Sequence, residues 1–227
     1  MKIYTSFTES HKPFFDNYFL PTYKKANKNK DFSLYVSEME QKSNTGGYST
    51  YGFRQSTSDK LEVIMKAIDD NMGQRIIYCD PDIQLFDGFT EDILKYKDLE
   101  PEVDVFCQCD TPKCPENVIL CTGFMVMTCS EKLKKVFENS LLHIDKFEHD
   151  QYAFNYFGRK TLNWRTFPED KYYTIAYNTG NAVWNGEEYK DIPKNILMHH
   201  ANWTVGVNNK IKLLDYIKSE LSRETVP

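Results

Sequence analysis

One short stretch, residues 76–86 with the sequence IIYCDPDIQLF, constrains the fold more than any other part of the chain. Two carboxylates, Asp80 and Asp82, stand in the middle of an otherwise apolar run. An ionised carboxylate that leaves water without a partner costs several kcal/mol or gives up its charge. The four residues before Asp80 are typical of a buried strand. We therefore expect the two carboxylates at the C-terminal end of that strand, where a cation can meet them.

A helix precedes this strand. Residues 58–73 carry apolar side chains at i, i+3, i+4 and i+7, which predicts an amphipathic helix. Asp59 followed by Glu62 resembles a capping box and predicts a start near Asp59, and Gly73 is placed to end the helix. The apolar positions are Leu61, Ile64, Met65 and Ile68. A helix joined closely to a strand indicates a layered α/β sheet with right-handed crossovers.

The rest of the chain continues this alternation. Strands are predicted over 2–8, 33–37, 103–110 and 197–203, helices over 14–26, 130–144, 150–157 and 208–222, and a loop over 41–52. Residues 116–128 predict two short buried strands, or one strand broken at Gly123. Neither an internal repeat nor a linker is visible. We predict an α/β/α sandwich of three layers around one mixed sheet, formed by a single domain over 1–227.

Length and charge limit the classes of function. The 227 residues carry a net charge of −5, which does not suggest attraction to nucleic acid or to an anionic membrane. An anionic ligand would then be met locally, by a metal ion or a few lysines. The chain shows no signal peptide and no apolar stretch of membrane-spanning length, so we expect a cytoplasmic protein without a membrane span.

The six cysteines raise the possibility of a zinc site. They are Cys79, Cys107, Cys109, Cys114, Cys121 and Cys129, and five of them lie within 107–129. No CxxC pair occurs, and the spacings fit no common zinc pattern. Free thiols in a reducing compartment are the favoured interpretation.

The spacing of Asp80 and Asp82 favours a shared metal ion. In an extended segment residues i and i+2 point the same way, and Pro81 favours an extended Asp80. Two neighbouring carboxylates raise one another's pKa unless a cation lies between them, and a divalent cation with oxygen ligands suits them. A plain Asp-Pro-Asp surface turn is the alternative. A phosphatase of the haloacid dehalogenase type fits poorly, because its Asp-x-Asp follows the first strand and Gln84 replaces the usual Thr or Val.

Four segments, in order, resemble a known family. Residues 60–86 are similar to the core of nucleotide-diphospho-sugar transferases, the glycosyltransferases of the A-type fold, whose Asp-x-Asp motif ends a strand after such a helix. ILCTGFMVM at 119–127, HDQYAFNYF at 149–157 and HANWTVGVNNK at 200–210 resemble later segments of that family. The resemblance spans about 60–212. It implies transfer of a sugar from a nucleotide diphosphate donor, by expectation UDP-linked, to an acceptor hydroxyl on a glycan or glycoprotein.

The resemblance also implies a metal shell. Asp82 would bind the metal directly, Asp80 would bind the metal or the ribose, and His200 would complete the protein's share. His199 is the competing candidate, but His200 is the one followed by Ala-Asn-Trp. An imidazole ligand suits Mn²⁺ better than Mg²⁺, so the expected cofactor is Mn²⁺, with Mg²⁺ as the alternative.

Further residues are assigned to parts of the donor on the same ground. Gly206 and Lys210 would approach the diphosphate, as backbone and as point charge. The end of the first strand and the start of the helix at 59 would meet the nucleotide, through Tyr4, Thr5, Ser6 and Lys60.

The strand around Gly123 and the start of the helix at 150 would meet the donor sugar and the reacting centre. Gly123 would let the backbone approach the donor sugar. Asp150 and Gln151 would reach the sugar hydroxyls, with Asp150 as the preferred catalytic carboxylate; its alternative is a helix cap. Cys121-Thr122 departs from the family pattern, in which Asn and a small residue are frequent.

Two other functions stay open. A nucleotidyltransferase that makes a nucleotide sugar should carry a Gly-rich basic loop after its first strand, where this chain reads TSFTESHKP. A binding module of the same fold without turnover is the second alternative. For a transferase the resemblance favours retention of configuration.

Overall fold

The computed structural model describes residues 1–43, 52–111, 118–179, 183–186 and 192–222. The strands are β1 (Lys2–Phe7), β2 (Ser33–Glu38), β3 (Arg75–Cys79), β4 (Ile83–Leu85), β5 (Val105–Cys109), β6 (Leu120–Thr128), β7 (Trp164–Thr166), β8 (Tyr172–Thr174) and β9 (Met198–His200). The helices are α1 (Lys12–Phe14), α2 (Leu20–Ala26), α3 (Phe53–Asp69), α4 (Phe89–Lys95), α5 (Glu131–Leu142), α6 (Asp150–Thr161), α7 (Ala176–Thr179) and α8 (Val207–Ser222). A π-helical stretch, Phe15–Phe19, joins α1 to α2.

The main sheet is mixed, as the sequence predicts. Its strand order is β2-β1-β3-β6-β5-β7. β1 runs parallel to β2 and β3, whereas β6 is antiparallel to both β3 and β5. Within 118–128, β6 is one continuous strand through Gly123 rather than a pair of strands. The C-terminal ends of β1 and β3 therefore open at the same edge of the sheet, which positions the site described below.

Side-chain alternation along the strands builds a core on each face of this sheet. In β3, Ile77 and Cys79 pack into one core, and Ile76 and Tyr78 into the other. Helices α3, α5 and α6 cover the second of these faces through Leu61, Leu133, Phe154 and their neighbours. The segment α1–α2, helix α4 and part of a smaller sheet cover the opposite face. The predicted three layers are confirmed.

The smaller sheet was not predicted. Strands β4, β9 and β8 form it in that order, with β4 antiparallel and β8 parallel to β9. β9 falls within the strand predicted over 197–203, but β4 and β8 were missed, because three residues are too few for periodicity to separate a strand from a loop. The sheet packs against α8 through a third core that contains Tyr173, Leu213 and Ile217. The expectation of a single sheet was therefore incomplete.

Helix α3 begins six residues before the predicted start. Its N-cap is Gly52, which has a φ of +83°, so the capping box at Asp59 and Glu62 was wrong. The Asp59 carboxylate instead pairs with Lys42, at 2.7 Å. A glycine cap offers no side-chain signal, whereas Asp59 and Glu62 at capping-box spacing offer a false one. The longer helix places Lys60 in its body. None of the described helices has the length and apolarity needed to cross a membrane.

Candidate active site

The Asp-Pro-Asp turn joins the two sheets. Asp80 directly follows β3, and its N–H donates to the Gly123 carbonyl at 2.7 Å. Asp82 directly precedes β4, and its carbonyl accepts from the Ala201 N–H at 3.0 Å. Backbone hydrogen bonds on both sides thus fix the turn. The two carboxylates therefore lie where the main sheet meets the smaller sheet, and their partners are side chains of that junction.

His200 stands at that junction. β9 places it opposite Ile83 of β4. Its Nε2 lies 3.4 Å from Asp82 Oδ1 and 4.0 Å from Asp80 Oδ2. The three side chains each present a ligand atom, and these atoms all lie within 4.8 Å of one another. Among the described residues this is the group that could hold a metal ion.

The tautomer of His200 is set by Gln108. The Gln108 amide nitrogen donates to the carbonyls of Tyr172 and Tyr173, at 3.2 and 3.1 Å. The Gln108 amide oxygen therefore faces the imidazole and accepts from His200 Nδ1 at 2.9 Å. With the proton on Nδ1, the lone pair of Nε2 points to the carboxylates, as a metal ligand requires.

His199 does not share this position. Its Nδ1 donates to the amide oxygen of Gln84 at 3.1 Å, on the opposite face of β9. Burial and the neighbouring His200 lower the pKa of His199 to about 3, so it stays neutral. The structure therefore brings His200, and not His199, to the two aspartates.

Lys210 reaches the same aspartate pair from α8. Its ammonium forms a short ion pair with Asp82 Oδ2. Burial alone would raise the pKa of Asp82, but the charge of Lys210 holds it well below its usual range. Asp82 is 3% exposed and ionised, which is the state that a metal ligand needs.

A second charged cluster lies next to the first. Lys60 Nζ is 3.1 Å from Asp80 Oδ1 and 3.3 Å from Asp150 Oδ2. The hydroxyl of Thr122 donates to Asp150 Oδ2 at 2.7 Å. Burial would lower the pKa of Lys60, but Asp150 and Asp80 raise it well above its usual value. The pKa of Asp150, which burial would raise, is lowered mainly by Lys60. Both groups are therefore charged.

The position of Asp150 argues against a capping role. Asp150 is the first residue of α6, but His149 is the N-cap, and its side chain accepts from the Gln151 N–H at 3.3 Å. The Asp150 carboxylate is 5% exposed and engages Lys60 and Thr122 instead. It lines the same cleft as Asp80, Asp82 and His200.

Both clusters line one cleft of about 220 Å³. The predicted site residues that line it are Ser6, Lys60, Asp80, Asp82, Gly123, Asp150, Gln151, His200 and Lys210. Gly206 lies on a neighbouring cavity of about 290 Å³, which shares Lys210 and Gln151 with the cleft. Tyr4 and Thr5 are not among the residues lining either cavity; Tyr4 packs on Tyr35 and accepts a hydrogen bond from Asn71 at 2.7 Å.

Several residues of the site were not singled out from the sequence. Asp110, at the end of β5, accepts hydrogen bonds from Gln151 Nε2 at 2.8 Å and from the Asn202 amide. Burial raises the pKa of Asp110. Its place as the last residue of the strand predicted over 103–110, at the edge where Asp80 also lies, was a usable signal. Gln108 and its contact with His200 had none.

Among the described cysteines, Cys121 lines the cleft and the other four do not. Cys79, Cys107, Cys109, Cys121 and Cys129 are buried free thiols. Burial raises the pKa of Cys121 well above its usual value, although its sulfur lies 3.7 Å from His200 Nδ1. Cys114 and most of the predicted loop over 41–52 lie outside the described residues.

A family model matches most of the chain. The model for nucleotide-diphospho-sugar transferases matches residues 21–214, which include both charged clusters. The chain belongs to this family. It is thus a glycosyltransferase, and the resemblance of its four segments is confirmed. A search of curated protein sequences finds no match.

Solved structures show the same fold. A glycosyltransferase involved in glycosylation of the major capsid of PBCV-1 superposes with a TM-score of 0.58 at 11% identity, covering 88% of this chain and 92% of that one. The galactosyltransferase LgtC, solved with donor and acceptor sugar analogues, gives 0.56 at 11% identity, covering 88% and 86%. GlyE of Streptococcus pneumoniae TIGR4 gives 0.54 at 11% identity, covering 99% of this chain and 63% of its own. The A-type glycosyltransferase fold is therefore confirmed.

Gly123 of this glycosyltransferase permits the close approach of Asp80 and His200 to the backbone of β6. A Cβ at position 123 would lie 2.4 Å from His200 Cε1 and 2.6 Å from Asp80 Oδ2. Gly123→Ala should therefore displace both side chains and, on the hypothesis that this group binds Mn²⁺ with UDP, weaken that binding by about tenfold or more. Calorimetric titration measures this.

Gly158→Ala is the matched control for Gly123→Ala. Its Cβ would meet neighbours at 3.4 Å or more, within a helix that favours alanine. Unchanged UDP affinity in Gly123→Ala would contradict the hypothesis that Asp80, Asp82 and His200 hold a metal ion for the nucleotide.

Proposed function

We propose that this glycosyltransferase moves a sugar from a UDP-sugar to a hydroxyl of a glycan or glycoprotein, with Mn²⁺ or Mg²⁺ as cofactor. The convergence of Asp80, Asp82 and His200 at one end of the cleft carries the proposal. Two carboxylates and a neutral imidazole suit a divalent cation, with the imidazole favouring Mn²⁺. The orientation of His200 by Gln108 supports the fit.

The diphosphate would lie against the metal group and α8. A bound divalent cation would supply positive charge that offsets the charge of the diphosphate. Lys210, at 21% side-chain exposure, adds a cation of the chain itself at that point. As the glycosidic bond breaks, negative charge grows on the leaving diphosphate. Lys210 would therefore stabilise the transition state more than it stabilises the bound donor. Gly206, one turn before Lys210, would offer its backbone to the same group.

The nucleoside would lie at the end of β1. Ser6 lines the cleft and hydrogen-bonds to the Tyr78 hydroxyl at 2.7 Å. Tyr4 and Thr5 would support that strand from behind the cleft rather than touch the ligand.

The donor sugar would lie beside the second charged cluster. Lys60, Asp150 and Gln151 line this part of the cleft and offer charged and polar groups to sugar hydroxyls. Asp150, ionised and nearly buried, would stabilise positive charge that develops at the anomeric carbon. The family resemblance, rather than this placement, favours a retaining outcome, in which the acceptor reacts on the face that the leaving group occupied.

Metal dependence tests the proposal. We expect UDP to bind in the presence of Mn²⁺ or Mg²⁺ and to lose at least about tenfold in affinity with EDTA, because Asp80 and Asp82 would otherwise repel the diphosphate. Calorimetric titration with and without metal measures the difference, and the melting temperature in EDTA checks that the protein stays folded. Equal affinity in both conditions would contradict the metal assignment.

Two product assays separate the alternatives. Release of UDP from a UDP-sugar panel in the presence of Mn²⁺ supports a transferase, and its absence alongside tight UDP binding would indicate a module without turnover. Formation of pyrophosphate from UTP and a sugar phosphate would indicate a nucleotidyltransferase. A short 3₁₀ turn, Glu9–His11, follows β1, at the place where that class carries its Gly-rich loop.

A further inference from the structure

A second cavity continues the donor cleft toward the outside of α6. The two share His11, Phe53, His149, Gln151, Asn202 and Lys210. The floor of the second cavity is polar, since Asp110 lies there and accepts from the amides of Gln151 and Asn202. A group seated in the second cavity would therefore lie directly beside the donor sugar.

The rim of this cavity is apolar and exposed. Tyr152 on α6 is 42% exposed, and Val183 and Val205 are 51% and 46% exposed. A polar floor with an exposed aromatic wall suits a ligand that has hydroxyl groups at its edge and an apolar face, which is the character of a pyranose ring. The carboxylate of Asp110 on the floor disfavours an anionic ligand.

The exposed aromatic surface continues along α6 beyond the cavity. Tyr156, one turn after Tyr152 on the same helix face, is 53% exposed. The two positions are about 6 Å apart along the helix axis, close to the length of one sugar unit. Lys160, a further turn along, lies 4.4 Å above the Tyr156 ring, so a sugar that stacks on this ring would take the place of the Lys160 ammonium.

Both tyrosine rings are supported from beneath. The Tyr152 ring lies 4.5 Å from that of His149, and the Tyr156 ring lies 5.4 Å from that of Phe147. The helix itself is anchored by Phe154, which stacks on Phe137 at 5.0 Å in the core. Rings held in this way lose little conformational entropy when a ligand stacks on them.

We propose that the acceptor is a neutral oligosaccharide, whose reacting unit lies in the second cavity and whose following units stack on Tyr152 and Tyr156. The proposal rests on the proposed function, because the reacting unit must face a donor sugar in the cleft. The saccharide is favoured over an apolar partner by continuity with the cleft and by the polar floor at Asp110. Specificity then resides partly in acceptor length, since a single sugar would miss Tyr156.

Glycan binding tests the proposal without turnover. The probe is an array of linear oligosaccharides of glucose, galactose, N-acetylglucosamine and N-acetylgalactosamine, one to six units long, with UDP and Mn²⁺ present. We expect at least one series to bind more tightly as it grows from one unit to three. Tyr152→Ala with Tyr156→Ala should reduce that binding by about tenfold and remove the dependence on length.

Tyr35→Ala is the matched control, because Tyr35 is 43% exposed and lies on β2, at the edge of the main sheet. It should bind glycans like the wild type. UDP affinity and melting temperature of all variants show whether the donor site and fold persist. Wild-type binding to no oligosaccharide, binding that ignores length, or a double variant that binds normally would overturn the proposal. So would a wild-type oligomer that the double variant abolishes, since α6 would then contact a second copy. Failure of the proposed function would show instead as a wild type that does not bind UDP.

Discussion

Asp82→Asn is expected to abolish sugar transfer, with turnover of the donor falling by about 10³-fold or more. The substitution keeps the shape of the side chain but removes the negative charge that Lys210 stabilises on Asp82. A neutral amide would be a poor ligand for a divalent cation, and the stabilisation of the leaving diphosphate would be lost with it. Affinity for UDP in the presence of Mn²⁺ should fall together with turnover. Calorimetry and release of UDP measure the two effects.

Asp92→Asn is the matched control for loss of a buried carboxylate. Asp92 is 7% exposed, and its carboxylate accepts hydrogen bonds from Lys95 at 3.1 Å and from the Tyr172 hydroxyl at 3.0 Å. It is not among the residues lining either cavity. The control should lower the melting temperature and leave the affinity for UDP unchanged. If Asp82→Asn retained metal-dependent UDP binding, the role of Asp82 would be wrong, whatever its effect on stability.

The layered fold could be predicted because its signals are local. The period of Leu61, Ile64 and Ile68 predicts the body of α3, and the apolar run before Asp80 predicts β3. The start of α3 could not be predicted in the same way, since a glycine with positive φ caps it and leaves no side-chain signal. The small sheet was missed because three-residue strands become strands only through pairing with distant segments, as Ile83 does with His200.

The residues of the candidate site also differ in how far local sequence signals predict them. The motifs that can be recognised in the sequence contain Asp80, Asp82, His200 and Lys210, and the structure brings these residues together. Gln108 and Asp110 act through contacts with residues distant in the sequence, such as His200 and Asn202. Such contacts depend on how β5 packs beside the other strands, which no local pattern records. Even so, the alternation of β5 and the polar residues at its end indicate where such partners should be sought.

Asp150→Asn should separate chemistry from binding. The carboxylate lies at the second charged cluster, 3.3 Å from Lys60, while Asp82 and Lys210 form the first. UDP affinity should therefore stay within a few-fold of the wild type, whereas donor turnover should fall by about 10²–10⁴, the usual effect of one acid–base or charge-stabilising group. The fold should largely persist, because asparagine can still accept from Thr122 and Lys60 keeps Asp80 at 3.1 Å.

Stability must be measured alongside turnover of Asp150→Asn, since a purely structural role would also reduce activity through unfolding. Asp104→Asn provides the matched case: its carboxylate, 14% exposed, pairs with Lys132 and accepts from the Asn163 N–H at 2.7 Å, and it is not among the residues lining either cavity. A drop in melting temperature common to both variants reports lost ion pairing, and the turnover of the folded fraction then reports the chemistry. Turnover per folded molecule that matches the wild type would remove Asp150 from the reacting centre. The catalytic carboxylate would then have to be sought elsewhere. The candidates are Asp80, which Lys60 also contacts, and Asp110, which lines the cavity proposed for the acceptor.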